Sequence, residues 1–172
     1  MTEPMETYRV RVSKDYLTFC AGHFITFDCN KRERLHGHNY RVAAEIVGDL
    51  NPDKLVFDFV TLKRILREIT DELDHFMMIP TASRQLNIEF DETRVRLTHE
   101  GKEWIFPRGD CVLLDMENTT AELLARWLTR RLREEIDNYT AKHSDSLVAP
   151  RILRVEVEET PGQSALYEWK LD

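Results

Sequence analysis

Three histidines have the residue type and the spacing that a metal centre needs. His36 and His38 are separated by one residue, so in a β-strand, whose side chains alternate between two faces, both imidazoles project from the same face. His23 closes the apolar face of an earlier alternating segment, residues 17–23. Three neutral imidazoles suit Zn²⁺, and three protein ligands leave a fourth position for water or substrate. The alternative is that His36 and His38 lie on the surface and His23 lies in the core.

Glu159 interrupts the pattern of a predicted strand near the end of the chain. Leu153, Val155 and Val157 share one face of that strand, and the alternation puts Glu159 on the same face. A carboxylate on an apolar face is costly unless it accepts hydrogen bonds or is paired with a cation. Glu159 therefore either lies beyond the strand end, in water, or accepts hydrogen bonds from a ligand that carries adjacent N–H donors.

Two further positions bring an acidic side chain close to a histidine. Asp74 and His75 follow a predicted helix, where a carboxylate can orient an imidazole for acid–base catalysis. The alternative is a histidine that only interacts with the negative end of the helix. Glu33 lies in a charged loop three residues before His36. That loop is either a solvated surface segment or, since it leads directly into a predicted metal ligand, the support of a carboxylate beside the metal.

Hydrophobic periodicity predicts the elements that position these residues. Alternating segments predict strands over residues 8–12, 17–23, 36–47, 152–159 and 165–171. A first helix follows an N-cap at Asp58, and a second begins at Thr119 with a Thr119–Glu122 capping box. Between the helices, residues 81–115 are expected to form an inserted strand meander. The chain, residues 1–172, is predicted to be a single α+β domain, an antiparallel sheet with both helices on one face.

Composition restricts the partners that this protein can have. The chain has 172 residues and a formal net charge of −7, which argues against binding to nucleic acid or to an anionic membrane. No apolar run approaches the roughly 20 residues of a membrane-spanning helix, and residues 1–11 lack the apolar core of a signal peptide. Cys20, Cys29 and Cys111 are odd in number and widely spaced, which favours reduced thiols and a cytoplasmic location over a disulfide framework.

Several motifs, spread in order over nearly the whole chain, resemble those of the 6-pyruvoyltetrahydropterin synthase and 6-carboxytetrahydropterin synthase family. The motifs are Phe19–Phe24, Leu35–Tyr40, Val56–Phe59, Leu73–His75, Asn118–Glu122 and Glu159–Thr160. The resemblance implies a T-fold, a four-stranded antiparallel sheet with two helices on one face. It also implies that copies of the chain join edge to edge into a homohexamer made of two trimers, and that His23, His36 and His38 bind zinc.

The resemblance assigns further roles around the metal. The family's acid–base pair falls on Asp74 and His75, and its pterin anchor falls on Glu159, with Thr120 and Glu122 near the pterin ring. The implied substrate is 7,8-dihydroneopterin triphosphate, whose side-chain hydroxyls bind the metal. The 2-amino and N3–H groups of the pterin ring would supply the two adjacent donors that a carboxylate on this face needs.

One departure from the family pattern changes the expected reaction. Most members carry a catalytic cysteine a few residues before the His-Gly-His motif, whereas here Arg32 stands four residues before His36 and Cys29 stands seven before it. Glu33 resembles the glutamate that replaces this cysteine in third-type pyruvoyltetrahydropterin synthases, which release 6-hydroxymethyl-7,8-dihydropterin, a folate precursor. The alternatives are a 6-pyruvoyl- or 6-carboxytetrahydropterin synthase that uses Cys29, and a non-catalytic protein that only binds a pterin.

Overall fold

A computed structural model gives the structure of the protein over residues 6–28, 30–143 and 149–171. It contains eleven strands and two α-helices within these ranges. The elements in chain order are β1 (Tyr8–His23), β2 (Thr26–Phe27), β3 (Lys31–Arg32), β4 (His36–Gly48), α1 (Phe59–Asp71), β5 (Phe76–Pro80), β6 (Asn87–Phe90), β7 (Arg94–His99), β8 (Lys102–Pro107), β9 (Cys111–Leu114), α2 (Ala121–Lys142), β10 (Ile152–Thr160) and β11 (Gln163–Lys170).

The main sheet has six strands in the order β11-β10-β4-β1-β5-β9. The first four are antiparallel to their neighbours and confirm the predicted four-stranded sheet. β5 and β9 extend this sheet through parallel pairing, which the sequence did not predict. Their apolar runs are four or five residues long, too short for periodicity to distinguish a strand from a buried helical turn.

Both helices cover the same face of the main sheet, as predicted. Their buried side chains are Leu62, Ile65, Leu66 and Ile69 of α1 and Leu124, Leu128, Leu132 and Ile136 of α2, and they pack with the inward residues of β1, β4 and β10 in one apolar core. Asp58 caps α1 as predicted, because its Oδ2 accepts a hydrogen bond from the N–H of Thr61 at 2.7 Å. Neither helix is long and apolar enough to cross a membrane, and this holds for every helix in the described ranges.

The N-cap of α2 is Thr120, so the predicted cap at Thr119 was wrong by one residue. Oγ1 of Thr120 accepts a hydrogen bond from the N–H of Leu123 at 3.4 Å. Thr119 is fully buried, and its Oγ1 lies 3.2 Å from Nδ1 of His23. Two consecutive threonines offer the same capping chemistry, so the choice between them depends on tertiary packing, which periodicity does not report.

The segment between the helices contains the predicted meander, a three-stranded antiparallel sheet in the order β6-β7-β8. Glu100 and Gly101 join β7 to β8 with φ angles of 47° and 72°, as a two-residue type I′ hairpin turn requires. One face of this sheet packs with Phe24, Met77 and Ile79 in a second apolar cluster. The insertion is thereby fixed beside the end of β1, where His23 lies.

Candidate metal centre and active site

Strand pairing brings the three predicted metal ligands together. His23 ends β1 and pairs with His36, the first residue of β4, and His38 follows on the same face. Their ligand nitrogens all lie within 4.8 Å of one another. His23 is buried, at 1% side-chain exposure, whereas His36 and His38 are partly accessible. The three side chains could therefore hold a metal ion that remains reachable from one side.

Backbone carbonyls fix the orientation of two of the rings. Nδ1 of His23 lies 3.0 Å from the carbonyl oxygen of Thr119, and Nδ1 of His36 lies 2.7 Å from that of Arg34. A carbonyl only accepts, so each Nδ1 carries the hydrogen and Nε2 is left with a free lone pair. Ligating histidines in metalloproteins are held in this way by a second shell of acceptors.

Burial also keeps His23 neutral. Loss of contact with water is the main reason that the pKa of His23 falls from 6.5 to about 4, and the neighbouring His36 and His38 lower it further. The hydrogen bond to the Thr119 carbonyl acts in the opposite direction and is outweighed. Since metal ions bind the neutral imidazole, this environment prepares His23 as a ligand at neutral pH.

A cavity of about 560 Å³ opens in front of the partly accessible histidines. Its wall includes the predicted site residues Glu33, His36, His38, Thr120, Glu122 and Glu159. The structure thus brings together residues from the loop before β4, the start of α2 and the end of β10. The Glu33 side chain is partly accessible to solvent, and its carboxylate Oε2 lies 3.8 Å from Nε2 of His36.

Glu159 lies at a β-bulge of β10, beside the histidines. Glu158 pairs with Ser164 and Thr160 pairs with Gln163, so Glu159 is the extra residue on its strand. Its Oε1 lies 3.5 Å from Nε2 of His23 and 3.7 Å from Nε2 of His38, and its side chain is 28% exposed. The carboxylate therefore faces the cavity instead of open solvent.

Asp74 and His75 form the predicted pair, but they line a different cavity. Oδ2 of Asp74 lies 3.0 Å from Nδ1 of His75, and Oδ1 accepts a hydrogen bond from the N–H of Cys20 at 2.7 Å. Burial raises the pKa of Asp74, but these hydrogen bonds outweigh it and bring the pKa below its ordinary range. The His75 side chain is 81% exposed and borders a cavity of about 420 Å³ that shares His36 with the first one.

The backbone of His75 is in the left-handed region, with φ at 64°. This conformation is uncommon for a residue with a side chain, and it occurs where surrounding contacts fix the backbone. Here the N–H of His75 donates to the carbonyl of Cys20 at 2.6 Å, at the start of the parallel pairing between β1 and β5. The pair is thus held rigidly against β1 with its imidazole directed outward.

A family comparison gives the family of the chain. The profile described as 6-pyruvoyl tetrahydropterin synthase matches residues 11–170, nearly the whole chain. The chain belongs to this family. Its members include 6-carboxytetrahydropterin synthases, and family membership makes this chain an enzyme, a lyase that acts on the side chain of a pterin.

Individual family members are similar over most of their length. A 6-carboxy-5,6,7,8-tetrahydropterin synthase from Haemophilus influenzae is 28% identical over 164 residues, which are 92% of this chain and 98% of that protein. A Methanocaldococcus jannaschii protein that provisionally carries the same name is 31% identical over 139 residues, 80% of this chain and 82% of that one.

A solved structure confirms the T-fold. The 6-pyruvoyltetrahydropterin synthase of Plasmodium vivax superposes with a TM-score of 0.87 at 31% identity, and the match covers 97% of this chain and 100% of that one. Two further structures of the Plasmodium vivax enzyme, with the same TM-score at 30% identity, are variants in which a catalytic glutamate is replaced by alanine or by cysteine.

Tyr40 and Thr119 lie beside His23 and were not predicted from the sequence as site residues. The hydroxyl of Tyr40 lies 3.0 Å from Nε2 of His23 and donates to Oε1 of Glu159 at 3.3 Å. Burial, followed by the negative charge of Glu159, raises the pKa of Tyr40, so the hydroxyl stays protonated as a donor. A signal was available, because Tyr40 follows the two histidines on the same strand face and a buried tyrosine hydroxyl needs a partner.

Cys29, the alternative catalytic residue, lies outside the described residues. Its neighbours in the chain lead into the short β2-β3 ribbon, in which Thr26 pairs with Arg32. The comparison between Cys29 and Glu33 therefore stays a matter for experiment.

Proposed function

We propose that this enzyme is a zinc-dependent lyase that cleaves the side chain of 7,8-dihydroneopterin triphosphate and releases 6-hydroxymethyl-7,8-dihydropterin. The observation that carries the proposal is the Glu33 carboxylate, which lines the histidine cavity 3.8 Å from Nε2 of His36. A glutamate is also a catalytic residue in the Plasmodium vivax enzyme, which has the same fold. The product is a folate precursor, so we assign the enzyme to folate biosynthesis in the cytoplasm, where the free thiols of Cys20 and Cys111 stay reduced.

Zinc is the metal that we propose for His23, His36 and His38. A set of three imidazoles suits Zn²⁺ and disfavours Mg²⁺ and Ca²⁺, which prefer oxygen ligands. The orientation of the first two rings, with Nε2 directed away from the carbonyls, supports the assignment. When bound, zinc would lower the pKa of substrate hydroxyls and stabilise the negative charge that develops on them.

The residues around the metal have separate tasks in this proposal. Glu159 accepts hydrogen bonds from the 2-amino and N3–H groups of the pterin. The Tyr40 hydroxyl donates a hydrogen bond to Oε1 of Glu159 and so orients the carboxylate. Thr120 and Glu122 border the ring at the start of α2. These contacts orient the substrate so that its side chain reaches His36 and Glu33.

Glu33 acts as the general base on the hydroxyl of the second side-chain carbon. As that proton is removed, the oxygen forms a C=O bond and the bond between the first and second side-chain carbons breaks. The electron pair goes to the first carbon, which stays on the pterin, and the rest of the side chain leaves as an aldehyde that carries the triphosphate. A proton then adds to this carbon and completes the hydroxymethyl group. A carboxylate is a weaker base than a thiolate, so it favours the acidified O–H over a C–H bond.

Asp74 and His75 are the proposed proton donor, and a second copy of the chain is needed for this role. Within one chain the pair lines a cavity that does not contain Glu33. We therefore assign the exposed His75 of each subunit to the site of a neighbouring subunit. The proposed assembly is a homohexamer, two trimers whose sheets join at the strand edges formed by β11 and β9.

A second function of the same class has support from the relatives. The Haemophilus influenzae protein is a 6-carboxy-5,6,7,8-tetrahydropterin synthase, and a synthase of this kind or a 6-pyruvoyl synthase would use Cys29 as its catalytic residue. A different class, a pterin-binding protein without activity, would retain the histidines but not turn over the substrate. These alternatives differ in product, so product identification distinguishes them.

The decisive experiment is mass spectrometry of the products formed from 7,8-dihydroneopterin triphosphate. We expect 6-hydroxymethyl-7,8-dihydropterin, whereas a 6-pyruvoyl or 6-carboxy product contradicts the proposal. Glu33→Ala should lower turnover by about a hundredfold, the usual contribution of a general base. Cys29→Ala is the matched control and should keep most activity and the same product. If Cys29 is essential and Glu33 is dispensable, the enzyme is a cysteine-dependent synthase.

Metal analysis of the same preparations tests the zinc assignment. The purified protein should contain about one zinc per chain, and His36→Ala and His38→Ala should lose it. Glu33→Ala should retain it, because Glu33 is not a proposed ligand. Full zinc occupancy in the double histidine variant would show that the ligand assignment is wrong.

A further inference from the structure

The insertion between the helices contacts the loop that carries Glu33. The face of the β6-β7-β8 sheet that bears Trp104 and Phe106 packs against Phe24 and the second apolar cluster. Arg32, at the end of β3, immediately precedes Glu33 and lies against this surface. No role in the reaction has been assigned so far to the insertion or to Arg32.

Arg32 is held by aromatic rings. Its guanidinium carbon lies 4.5 Å from the ring centroid of Trp104 and 5.8 Å from that of Phe24. Within the described parts of the chain, no carboxylate lies within 4.0 Å of this guanidinium, and its Nε is buried with no hydrogen-bond partner. Stacking on tryptophan is a favourable substitute for an acidic partner, because the ring face is negative.

The same guanidinium fixes the backbone of Glu33. Nη1 of Arg32 donates to the carbonyl oxygen of Glu33 at 2.5 Å, and the N–H of Glu33 donates to the carbonyl of Ile25 at 3.0 Å. Both backbone groups of Glu33 are thus tied, one of them through Arg32 to Trp104. Among the residues that the structure describes, the Glu33 carboxylate approaches the Nε2 of His36 at 3.8 Å.

A buried histidine of the insertion makes a second link to the loop. His99 lies between two carbonyl oxygens, with Nε2 at 3.2 Å from that of Asn30 and Nδ1 at 3.0 Å from that of Gln85. His99 is 6% exposed, so its contact with the Asn30 carbonyl is largely buried. The insertion therefore contacts the loop at Asn30 as well as at Arg32.

We propose that Trp104 and Arg32 are positioning residues for Glu33, and that the insertion serves as the platform that holds the general base beside the metal centre. Trp104 fixes the guanidinium of Arg32, and Arg32 fixes the carbonyl of Glu33. This inference rests on the proposed role of Glu33 as the base. Misplacement of a catalytic group by about 1 Å can cost up to about a hundredfold in rate, so the platform has a measurable effect on turnover.

The test compares two variants of strand β8. Trp104→Leu removes the ring that supports Arg32 and should lower kcat by about tenfold, with KM within about twofold and zinc content unchanged. Phe106→Leu is the matched control, since Phe106 packs in the same cluster on the same face but does not stack on Arg32. It should leave kcat within about twofold. Trp104→Phe retains a ring face and should recover most of the lost turnover.

Amide hydrogen exchange over residues 30–35 gives a readout that does not depend on the reaction. Trp104→Leu should speed exchange in this segment, and Phe106→Leu should not. If Trp104→Leu and Phe106→Leu show equal exchange rates and equal kcat, the proposal is overturned and the insertion has only a structural role. If Trp104→Leu does not fold, Arg32→Lys keeps the charge, removes the planar group, and should reproduce both effects.

The same data separate this inference from the proposed function. If Glu33→Ala retains full turnover, the role of Glu33 as the base is wrong, whatever the exchange measurements give. If Glu33→Ala is inactive while Trp104→Leu and Arg32→Lys leave kcat and exchange unchanged, Glu33 is the base and the platform inference is wrong.

Discussion

In the metal-free protein, stability should depend on pH through His23. In the folded chain the pKa of His23 falls to about 4, mainly because the imidazole is buried, whereas an unfolded chain restores the ordinary value of 6.5. A group with a depressed folded pKa takes up its proton in the unfolded state first. Its contribution to stability is therefore present above pH 6.5 and is lost as the pH falls towards 4.

The magnitude follows from the two pKa values. They correspond to about a 300-fold difference in proton affinity, or about 3.4 kcal/mol between the protonated and neutral limits. Over the accessible interval from pH 7 to pH 5, the unfolded state gains most of its proton and the folded state gains almost none, which amounts to about 2 kcal/mol. The side chain is 1% exposed, so solvent screening does not reduce this figure.

Urea denaturation of chelator-treated protein at pH 7 and pH 5 measures the effect. His23→Gln removes the titrating group and keeps a side-chain amide that can donate to the Thr119 carbonyl. The free energy of unfolding of the original protein should fall by about 2 kcal/mol more than that of the variant between the two pH values. His36 and His38 are present in both proteins, so their contributions largely cancel. Equal losses in the two proteins would refute the assignment of the pH dependence to His23.

Two further predictions concern the ligand and the assembly. Glu159→Gln replaces an acceptor oxygen with a donor, and the opposed donors should weaken pterin binding by about tenfold in calorimetry. Glu158→Gln is the control and should have no effect, because the Glu158 side chain borders the opposite face of the sheet. Equal affinities for the original protein and both variants would contradict the anchor role. Mixing inactive Glu33→Ala and His75→Ala proteins under conditions that exchange subunits should restore activity, because mixed sites combine an intact Glu33 with a neighbour's intact His75. A mixture without activity would exclude a shared site.

Local pattern was sufficient for the centre of the fold. At the ends that carry His23, His36 and His38, the burial of β1 and β4 alternates from one residue to the next, so a period of two fixes which side chains point inward. Asp58 was identified as a cap because its chemistry and its position before an apolar helical pattern agree. Each of these features depends on residues close in sequence.

The features that sequence did not reveal all depend on distant contacts. β5 and β9 are strands because they pair with β1 and with each other, not because of their own periodicity. The bulge at Glu159 depends on the pairing of β10 with β11, and Tyr40, the partner of the Glu159 carboxylate, is 119 residues away in the chain. The burial of Thr119 against His23 decides which threonine caps α2.

The separation of Asp74–His75 from Glu33 is of the same kind. Sequence order and family pattern assign both to one reaction, and neither contains the information that a single chain keeps them in different cavities. The separation of the two cavities in three dimensions is what supports the proposal of a site shared between subunits.

The close approach of β1 and β4 explains why a glycine, Gly37, separates the two histidines of β4. The pair of Gly22 with Gly37 lies between the pairs that contain the three metal ligands, and a Cβ at Gly37 would lie 3.0 Å from the carbonyl oxygen of Ala21. A side chain at this position would push β4 away from β1 and separate His23 from the other two ligands. A shift of one residue in the pairing would turn His36 and His38 to the opposite face. The grouping of the three histidines is therefore a consequence of the register and close approach of two strands.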